Sequence, residues 1–326
     1  MNASIPHAVL RLILASAAPV ARVIVVVSVV LVSLLPDGIT AATVLGTDAV
    51  SIRACPSLDC EIVGTAPLGA SLDITGELQD GFAPVTWEGT SGFAYRLYVS
   101  EQGESPWLVQ GELGCKQVAL IFNIGIGSDP SETILDTLTG RNVPATMFPM
   151  GWWAREHPGY LQRLNEAGFV IGTHGDQRRL LTSATDDAVL GDVKASIVAI
   201  QEVIGRPIDP WFTPYAAATD ERVRAIVAGM GFMPVGWTVA ANDFGPAATS
   251  GDVYDRIMEG MHPGAIVEFH LDGPATEWST AVALPGIIDG LRSQGYELVT
   301  VSEMAAPCDG GTNGTPVSGT VPVPEG

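Results

Sequence analysis

The stretch that decides the fold is Val118-Ala-Leu-Ile-Phe-Asn-Ile-Gly125. Its apolar run has the length of a strand that is buried on both faces, as in a parallel sheet. A Gly127-Ser-Asp-Pro130 turn follows the run, and an apolar helical pattern follows the turn. The stretch therefore predicts a buried strand, a tight turn and a helix in immediate succession.

Further strand candidates alternate with helical patterns along the chain, at 143–148, 168–172, 233–239, 265–270 and 297–301. Repeated strand and helix units predict a parallel sheet that is closed, or nearly closed, into a barrel. The functional site of such a barrel lies at the carboxyl ends of its strands.

Two of the helices carry terminal signals. In the first, Asp129 has the position of an N-cap and Pro130 that of the first turn; Glu132 fits a capping box, and Gly140 ends the helix. In the second, apolar residues recur at helical spacing before Gly205, which predicts a helix that ends there.

The opening stretch and five later segments, in the same order, resemble the NodB-type polysaccharide deacetylases. The later segments are Asn142–Phe148, Ala167–His174, Trp211–Tyr215, Trp237–Phe244 and Val267–His270. The resemblance spans about residues 115 to 305. It implies a distorted seven-stranded βα barrel and the metal-dependent removal of N-acetyl groups from polysaccharide.

The resemblance also implies a divalent ion held by one Asp and two His, and this chain departs from that set. The family's Phe-Asp-Asp-Gly reads Phe-Asn123-Ile124-Gly, and of the two histidines only His174 remains, because Arg178 has the second position. A guanidinium about 4 Å from a dication would cost on the order of 8 kcal/mol at an effective dielectric of about 20. We therefore expect no metal cofactor, and zinc only if the chain uses altered ligands.

The base of the family's mechanism is replaced as well. Asn123 has the position of the Asp that takes a proton from water, and an amide cannot act as a base at neutral pH. The Arg that orients that Asp corresponds to Phe212. On the acid side, His270 matches the histidine that protonates the leaving amine, and Asp243 matches the carboxylate that tunes it.

Three explanations of the altered site remain open at this stage. The first is decay of an unused site. The second is that Arg178 grips an anionic or carbonyl group of a glycan, with His174, Tyr215 and Trp237 as further substrate-binding residues. The third is a rearranged site with ligands from the acidic residues of the barrel, namely Asp176, Glu268 and Asp272.

A separate small module precedes the barrel. Short alternating stretches separated by Gly and Pro predict an all-β barrel within residues 43–100, with strands at 50–53, 61–64, 71–74, 83–86 and 92–95. These stretches resemble the bacterial Src-homology-three-like domain, two of whose usual tryptophans are Phe82 and Phe93 here. In that family such modules often hold envelope proteins near peptidoglycan. Residues 101–114 are predicted to be a polar linker and 309–326 a disordered tail.

The composition of the chain limits the cellular compartment and the kinds of binding partner that can be expected. Residues 1–42 contain an apolar run, Val23–Leu35, that is short for a membrane span and fits a signal peptide or N-terminal anchor with Ala41 and Ala42 as a cleavage zone. Removing this segment leaves 35 acidic and 14 basic residues, a formal charge of −21. Such a charge would repel phosphate backbones, which argues against nucleic acid as a partner.

Four cysteines in an exported chain predict two disulfides, for which sequence alone allows three connectivities. Proximity favours Cys55 with Cys60. Because the first strand and last helix of a closed barrel are neighbours, we pair Cys115 with Cys308.

The sequence therefore predicts an exported, envelope-associated protein that binds or acts on amino-sugar glycan, such as peptidoglycan or a chitin-like polymer. We expect it to lack the family's metal-dependent N-deacetylation. The alternatives are an active hydrolase of N-acetyl groups that uses altered ligands, and a structural envelope protein whose cleft binds nothing.

Overall fold

The computed structural model describes residues 39–102, 104–127 and 129–308. Most of the predicted signal or anchor segment and the predicted tail lie outside these residues. Within them, no helix combines the length and apolar character that a membrane crossing requires.

The N-terminal module is a seven-stranded sheet in the order β3-β2-β6-β5-β4-β1-β7. Its pairings are antiparallel, and the strands are β1 Thr40–Val44, β2 Ala49–Arg53, β3 Ile62–Pro67, β4 Ser71–Ile74, β5 Phe82–Trp87, β6 Thr90–Tyr95 and β7 Val99–Glu101. Inward-facing aliphatic side chains form its core, including Val44, Ile52, Leu72 and Val85. The all-β barrel predicted from the alternating stretches is confirmed.

Five of the seven strands match the predicted ones, and the first and last were missed. Ala42, part of the predicted cleavage zone, lies in β1, where it is buried and aligned with Glu101 of β7. A cut after Ala42 would remove three of the five residues of β1. Phe82, at one of the two tryptophan positions of the domain, is also buried, and its ring lies 5.4 Å from that of Tyr95.

The larger sheet is parallel and is built around β8, Gln117–Ile124. One sheet has the order β10-β9-β8-β14-β13, with β15 also paired to β8, and β11 pairs with β12. The other strands are β9 Thr146–Pro149, β10 Val170–Ile171, β11 Trp211–Phe212, β12 Met233–Pro234, β13 Val239–Ala240, β14 Ala265–His270 and β15 Glu297–Val299. The bridge between Thr173 and Phe212 joins the two sheets, which agrees with the predicted distorted βα barrel.

The segment that was predicted to be a polar linker is packed into the barrel. Leu108 and Val109 are buried, and Leu108 pairs with Val235 between β12 and β13. The backbone N–H of Gly236 donates to the carbonyl of Leu108 at 2.8 Å. This pairing lies between the two short strands into which the predicted strand 233–239 is divided.

Helices cover the sheet between its strands. They are α1 Glu132–Gly140, α2 Gly151–Glu156, α3 Pro158–Glu166, α4 Asp186–Ile204, α5 Glu221–Ala228, α6 Ser250–Gly260, α7 Thr280–Ser293 and α8 Val301–Met304. The N-cap of α1 is Ser131, whose Oγ accepts from the N–H of Ile134 at 3.2 Å, so the prediction of Asp129 as the cap was wrong. Gly205 ends α4 in the left-handed conformation, as predicted.

Side-chain alternation along β8 divides the barrel into two layers. Leu120, Phe122 and Ile124 face the outer core formed with the helices, whereas Ala119 and Ile121 belong to the inner cluster that fills the barrel. Asn123 shares the inner face and ends it. The strand therefore places an amide, and not an apolar group, at the carboxyl end of the barrel interior.

Two disulfides are present, Cys55–Cys60 in the β-module and Cys115–Cys308. They are the pairs named from the sequence. The second joins the residues just before β8 to those just after α8, so it closes the chain of the barrel at its two ends.

Candidate functional site

A cavity of about 370 Å³ opens at the carboxyl ends of β8, β13 and β14. Its apolar and aromatic lining residues, which form the wall, are Ile126, Tyr215, Ala216, Ala217, Trp237, Ala240, Phe244 and Pro274. Its polar lining residues, which form the floor, are Asn123, His174, Asn242, Glu268 and His270. The cavity thus collects six of the residues that the sequence singled out: Asn123, His174, Tyr215, Trp237, Glu268 and His270.

Asn123, at the base position, is buried and held on both sides of its amide. Its Nδ2 donates to Glu268 Oε1 at 3.1 Å, and its Oδ1 accepts from Thr213 Oγ1 at 2.8 Å. Strand register produces the first contact, because Asn123 of β8 aligns with His270 of β14 and Glu268 lies two residues earlier on the same face. The amide therefore links β8 to β14 by a hydrogen bond and does not act as a base.

His174 is a neutral imidazole of defined tautomer. Its Nδ1 lies 3.1 Å from the Thr213 carbonyl and 2.8 Å from Thr213 Oγ1, whose own proton goes to Asn123. Nδ1 therefore carries the hydrogen, and the lone pair is on Nε2. Burial, aided by the positive charge of His270, lowers the pKa of His174 to about 3, against the opposing effect of the Thr213 carbonyl.

The predicted acid pair, His270 and Asp243, is assembled at the other side of the floor. His270 Nδ1 lies 2.8 Å from Asp243 Oδ1, and the His270 backbone N–H donates to Asp243 Oδ2 at 3.0 Å. The Thr280 hydroxyl also donates to Asp243 Oδ2. Asp243 is fully buried, so these bonds fix the imidazole ring and its Nδ1 proton.

Glu268 is the second carboxylate partner of His270. Its Oε1 lies 3.1 Å from His270 Nε2, so the imidazole is held between two carboxyl groups. Burial lowers the pKa of His270, but the charges of Glu268 and Asp243 outweigh it and raise that pKa to about 9. Burial raises the pKa of Glu268, and His270 and the Asn123 amide oppose that rise. At neutral pH the floor therefore holds an imidazolium.

Arg178 does not line the cavity. Its Nε donates to the Gly125 carbonyl at 2.6 Å and its Nη2 to the Gly127 carbonyl at 2.7 Å, while the guanidinium lies 4.8 Å from the centre of the Trp152 ring. The side chain therefore holds the loop after β8 from outside. Its role in substrate binding remains a prediction.

The residues at the family's metal position do not fit a divalent ion. Ile124 is fully buried in the outer core, and Arg178 presents a permanent positive charge to the loop, so His174 Nε2 is the one suitable donor of the three positions. The other acidic candidates are engaged elsewhere: Asp176 pairs with Arg155 at 2.8 Å, and Asp272 accepts from the N–H groups of Gly125 and Gly127.

One group of three potential ligands occurs in the described part of the chain, at Glu112, Cys115 and Cys308. The two sulfurs of that group are bonded to each other, which removes them as thiolate ligands.

Three functional residues were missed or undervalued from the sequence. Thr213 lies inside the recognised Trp211–Tyr215 segment, and its hydroxyl links His174 to Asn123. Glu268 was considered only as a replacement metal ligand. Asn242 lines the cavity, and its backbone is in the left-handed region with φ 51°. Its position next to Asp243 in the recognised Trp237–Phe244 segment was the sequence signal that could have identified it.

His270 gives the folded protein a specific pH dependence. Its folded-state pKa of about 9 lies above the ordinary value of 6.5, so its contribution to stability is complete below about pH 6.5 and is lost as the pH rises through about 9. We expect the free energy of unfolding to fall by about 3 kcal/mol over that interval. Urea unfolding at a series of pH values would measure it.

The matched control for this prediction is Glu268→Gln, which keeps the shape of the side chain and removes one of the two charges that hold the proton on His270. The alkaline loss of stability is expected to become smaller and to begin at lower pH. An unchanged profile in the variant would refute the assignment of the proton to this pair.

Comparison with known proteins agrees with the fold. Residues 110–235 match the polysaccharide deacetylase family and residues 48–100 the bacterial SH3 domain. The chain is 29% identical over 189 residues to the peptidoglycan-N-acetylglucosamine deacetylase PgdA of Listeria monocytogenes, covering 58% of this chain and 39% of that protein. It is 25% identical over 191 residues to the peptidoglycan-N-acetylmuramic acid deacetylase PdaA of Bacillus subtilis, covering 58% and 71%.

Among solved structures, the chain is similar to BA3943 of Bacillus anthracis, described as a CE4 family pseudoenzyme. The TM-score is 0.58 at 19% identity, with 80% of this chain and 91% of that chain covered. At this identity the likeness concerns the fold. The chain spans about two fifths of the length of the Listeria relative.

Proposed function

We propose that the chain, which matches the polysaccharide deacetylase family over residues 110–235 and the bacterial SH3 domain over residues 48–100, binds amino-sugar glycan of the cell envelope without metal-dependent N-deacetylation. Its relatives are named for action on peptidoglycan, which supports a cell-wall polysaccharide as the partner. The proposal also includes export of the protein, because the glycan of the cell envelope lies outside the cytoplasm.

One observation carries the proposal: the cavity keeps an aromatic wall while its floor has lost the groups that activate water. Tyr215, Trp237 and Phe244 line the wall, and aromatic faces are suited to stacking on sugar rings. On the floor, the amide of Asn123 is committed to Glu268 and Thr213. Binding surface is thus retained without the family's base at position 123 and without its set of metal ligands.

The test compares metal content, turnover and binding on one preparation of the purified chain. We expect binding of soluble chitin or peptidoglycan fragments by calorimetry, zinc well below one equivalent, and no release of acetate. A Trp237→Ala variant is expected to weaken binding by roughly tenfold or more, since it removes a stacking face. Absence of binding by a folded protein would favour a purely structural role.

An active hydrolase with altered groups is the second candidate, and one observation favours it. The His270–Asp243 pair is intact, and Glu268 lies within 3.1 Å of both His270 Nε2 and Asn123 Nδ2. Stoichiometric zinc together with acetate release from N-acetylated oligosaccharides would establish this candidate and overturn the first.

A further inference from the structure

Two hydrogen-bond acceptors on the floor of the cavity have no partner among the described residues. Glu268 Oε1 already accepts from Asn123 and from His270, while Oε2 has no partner among the described residues. The lone pair of His174 Nε2 is likewise unengaged, because the ring is bound only through Nδ1.

The charge of the floor also favours a cation. Three carboxyl groups, those of Asp243, Glu268 and Asp272, are buried around the single imidazole of His270. None of the lining residues that the structure describes is Lys or Arg. Arg178, the nearby cation, is bound to two backbone carbonyls outside the cavity. A buried excess of acidic groups is stabilised by a positively charged ligand.

The residues of the wall are of the kind that suits a sugar ring carrying such a charge. Tyr215, Trp237 and Phe244 line the cavity, and the faces of aromatic rings attract cations as well as sugar carbons. The volume of about 370 Å³ lies at the lower end of small-molecule pockets, which suits a single sugar unit of a chain.

We propose that the cavity recognises the free amino group of a deacetylated hexosamine in preference to its N-acetylated form. The inference rests on the proposed glycan binding and specifies its ligand. An ammonium group has three donors, two of which match the open acceptors Glu268 Oε2 and His174 Nε2. An N-acetyl group offers one N–H and places a carbonyl oxygen against a carboxylate and a lone pair, so its polar atoms are not satisfied there.

The test uses two chemically defined tetrasaccharides of equal length, one of β-1,4-linked glucosamine and one of β-1,4-linked N-acetylglucosamine. Both are titrated into the full chain by calorimetry at mildly acidic pH, where an aliphatic amine is protonated. We expect the free-amine tetrasaccharide to bind roughly 10- to 100-fold more tightly, the effect of a hydrogen bond to a charged group.

Long-range attraction must be separated from a contact in the cavity, because the chain carries a formal charge of −20. The paired variants are Glu268→Gln in the floor and Glu259→Gln on the exposed face of α6, which remove the same charge. Only Glu268→Gln should abolish the preference, and the preference should persist at raised salt, since buried pairs are weakly screened.

Equal affinity of the wild-type protein for the two tetrasaccharides would overturn the inference and leave the proposed function standing. A preference that survives in Glu268→Gln, or that falls equally in Glu259→Gln, would overturn the assignment to this floor. Binding of neither sugar would count against the proposed function itself.

Discussion

Replacing Cys115 and Cys308 together by serine is expected to lower the free energy of unfolding by up to about 5 kcal/mol. The bond joins residues 193 positions apart, so its loss releases nearly the whole barrel in the unfolded chain. In the chain-entropy description the unfolded state gains more freedom the longer the closed loop. Chemical unfolding of the oxidised wild type and the double variant would measure the difference.

The Cys55–Cys60 disulfide provides a matched control for this prediction. Cys55 and Cys60 are only 5 positions apart, and the same description assigns about 2 kcal/mol to that short loop. The Cys55→Ser/Cys60→Ser variant should therefore be the more stable of the two. A larger loss in this variant would show that the bonds act on the folded state and not through loop length.

The outline of the barrel was available from the sequence because its signals are local. The apolar run at β8 and the helical spacing that ends at Gly205 each depend on neighbours within one element. The segment 101–114 was misjudged for the opposite reason. Its apolar residues Leu108 and Val109 find their partners more than 100 residues later, and nothing in the local pattern indicates that.

The N-cap of α1 shows the same limit on a smaller scale. Two acceptable capping residues precede the helix, and tertiary contacts decide between them. Ser131 is fixed by its N–H to the Leu271 carbonyl and by its carbonyl to the Tyr160 hydroxyl, at 3.0 and 2.6 Å. These bonds hold Ser131 in extended geometry, so the helix begins at Glu132.

At the site, residue identities were predictable and their partners were not. The motif positions fixed where Asn123, His174 and His270 would lie. Whether Arg178 would enter the cavity or bind the loop depends on the path of residues 125–127, which no spacing rule gives. The contact between Asn123 and Glu268 follows from the register of β8 with β14 and so required the assembled sheet.

We expect that placing the family's residues at the altered positions of this chain will not restore its metal site. Ile124→Asp should lower the free energy of unfolding by roughly 3 to 5 kcal/mol, the cost of an uncompensated buried charge. The side chain of Ile124 is fully buried in the outer core and not in the cavity. Ile124→Val is the control and should cost only about 1 kcal/mol.

The full reversion combines Asn123→Asp, Ile124→Asp and Arg178→His, and we expect no rise in its melting temperature on addition of zinc. Asp at 123 would lie beside the carboxylate of Glu268, and loss of Arg178 would free the carbonyls of Gly125 and Gly127 that it now binds. Zinc binding can offset this loss of stability only if the new carboxylate at position 124 turns from the outer core into the mouth of the barrel. Thermal unfolding with and without zinc decides the point. A zinc-dependent increase in the triple variant, absent from the wild type, would mean that the end of β8 can adopt the family's geometry and that the site differs from an enzyme only in its side chains.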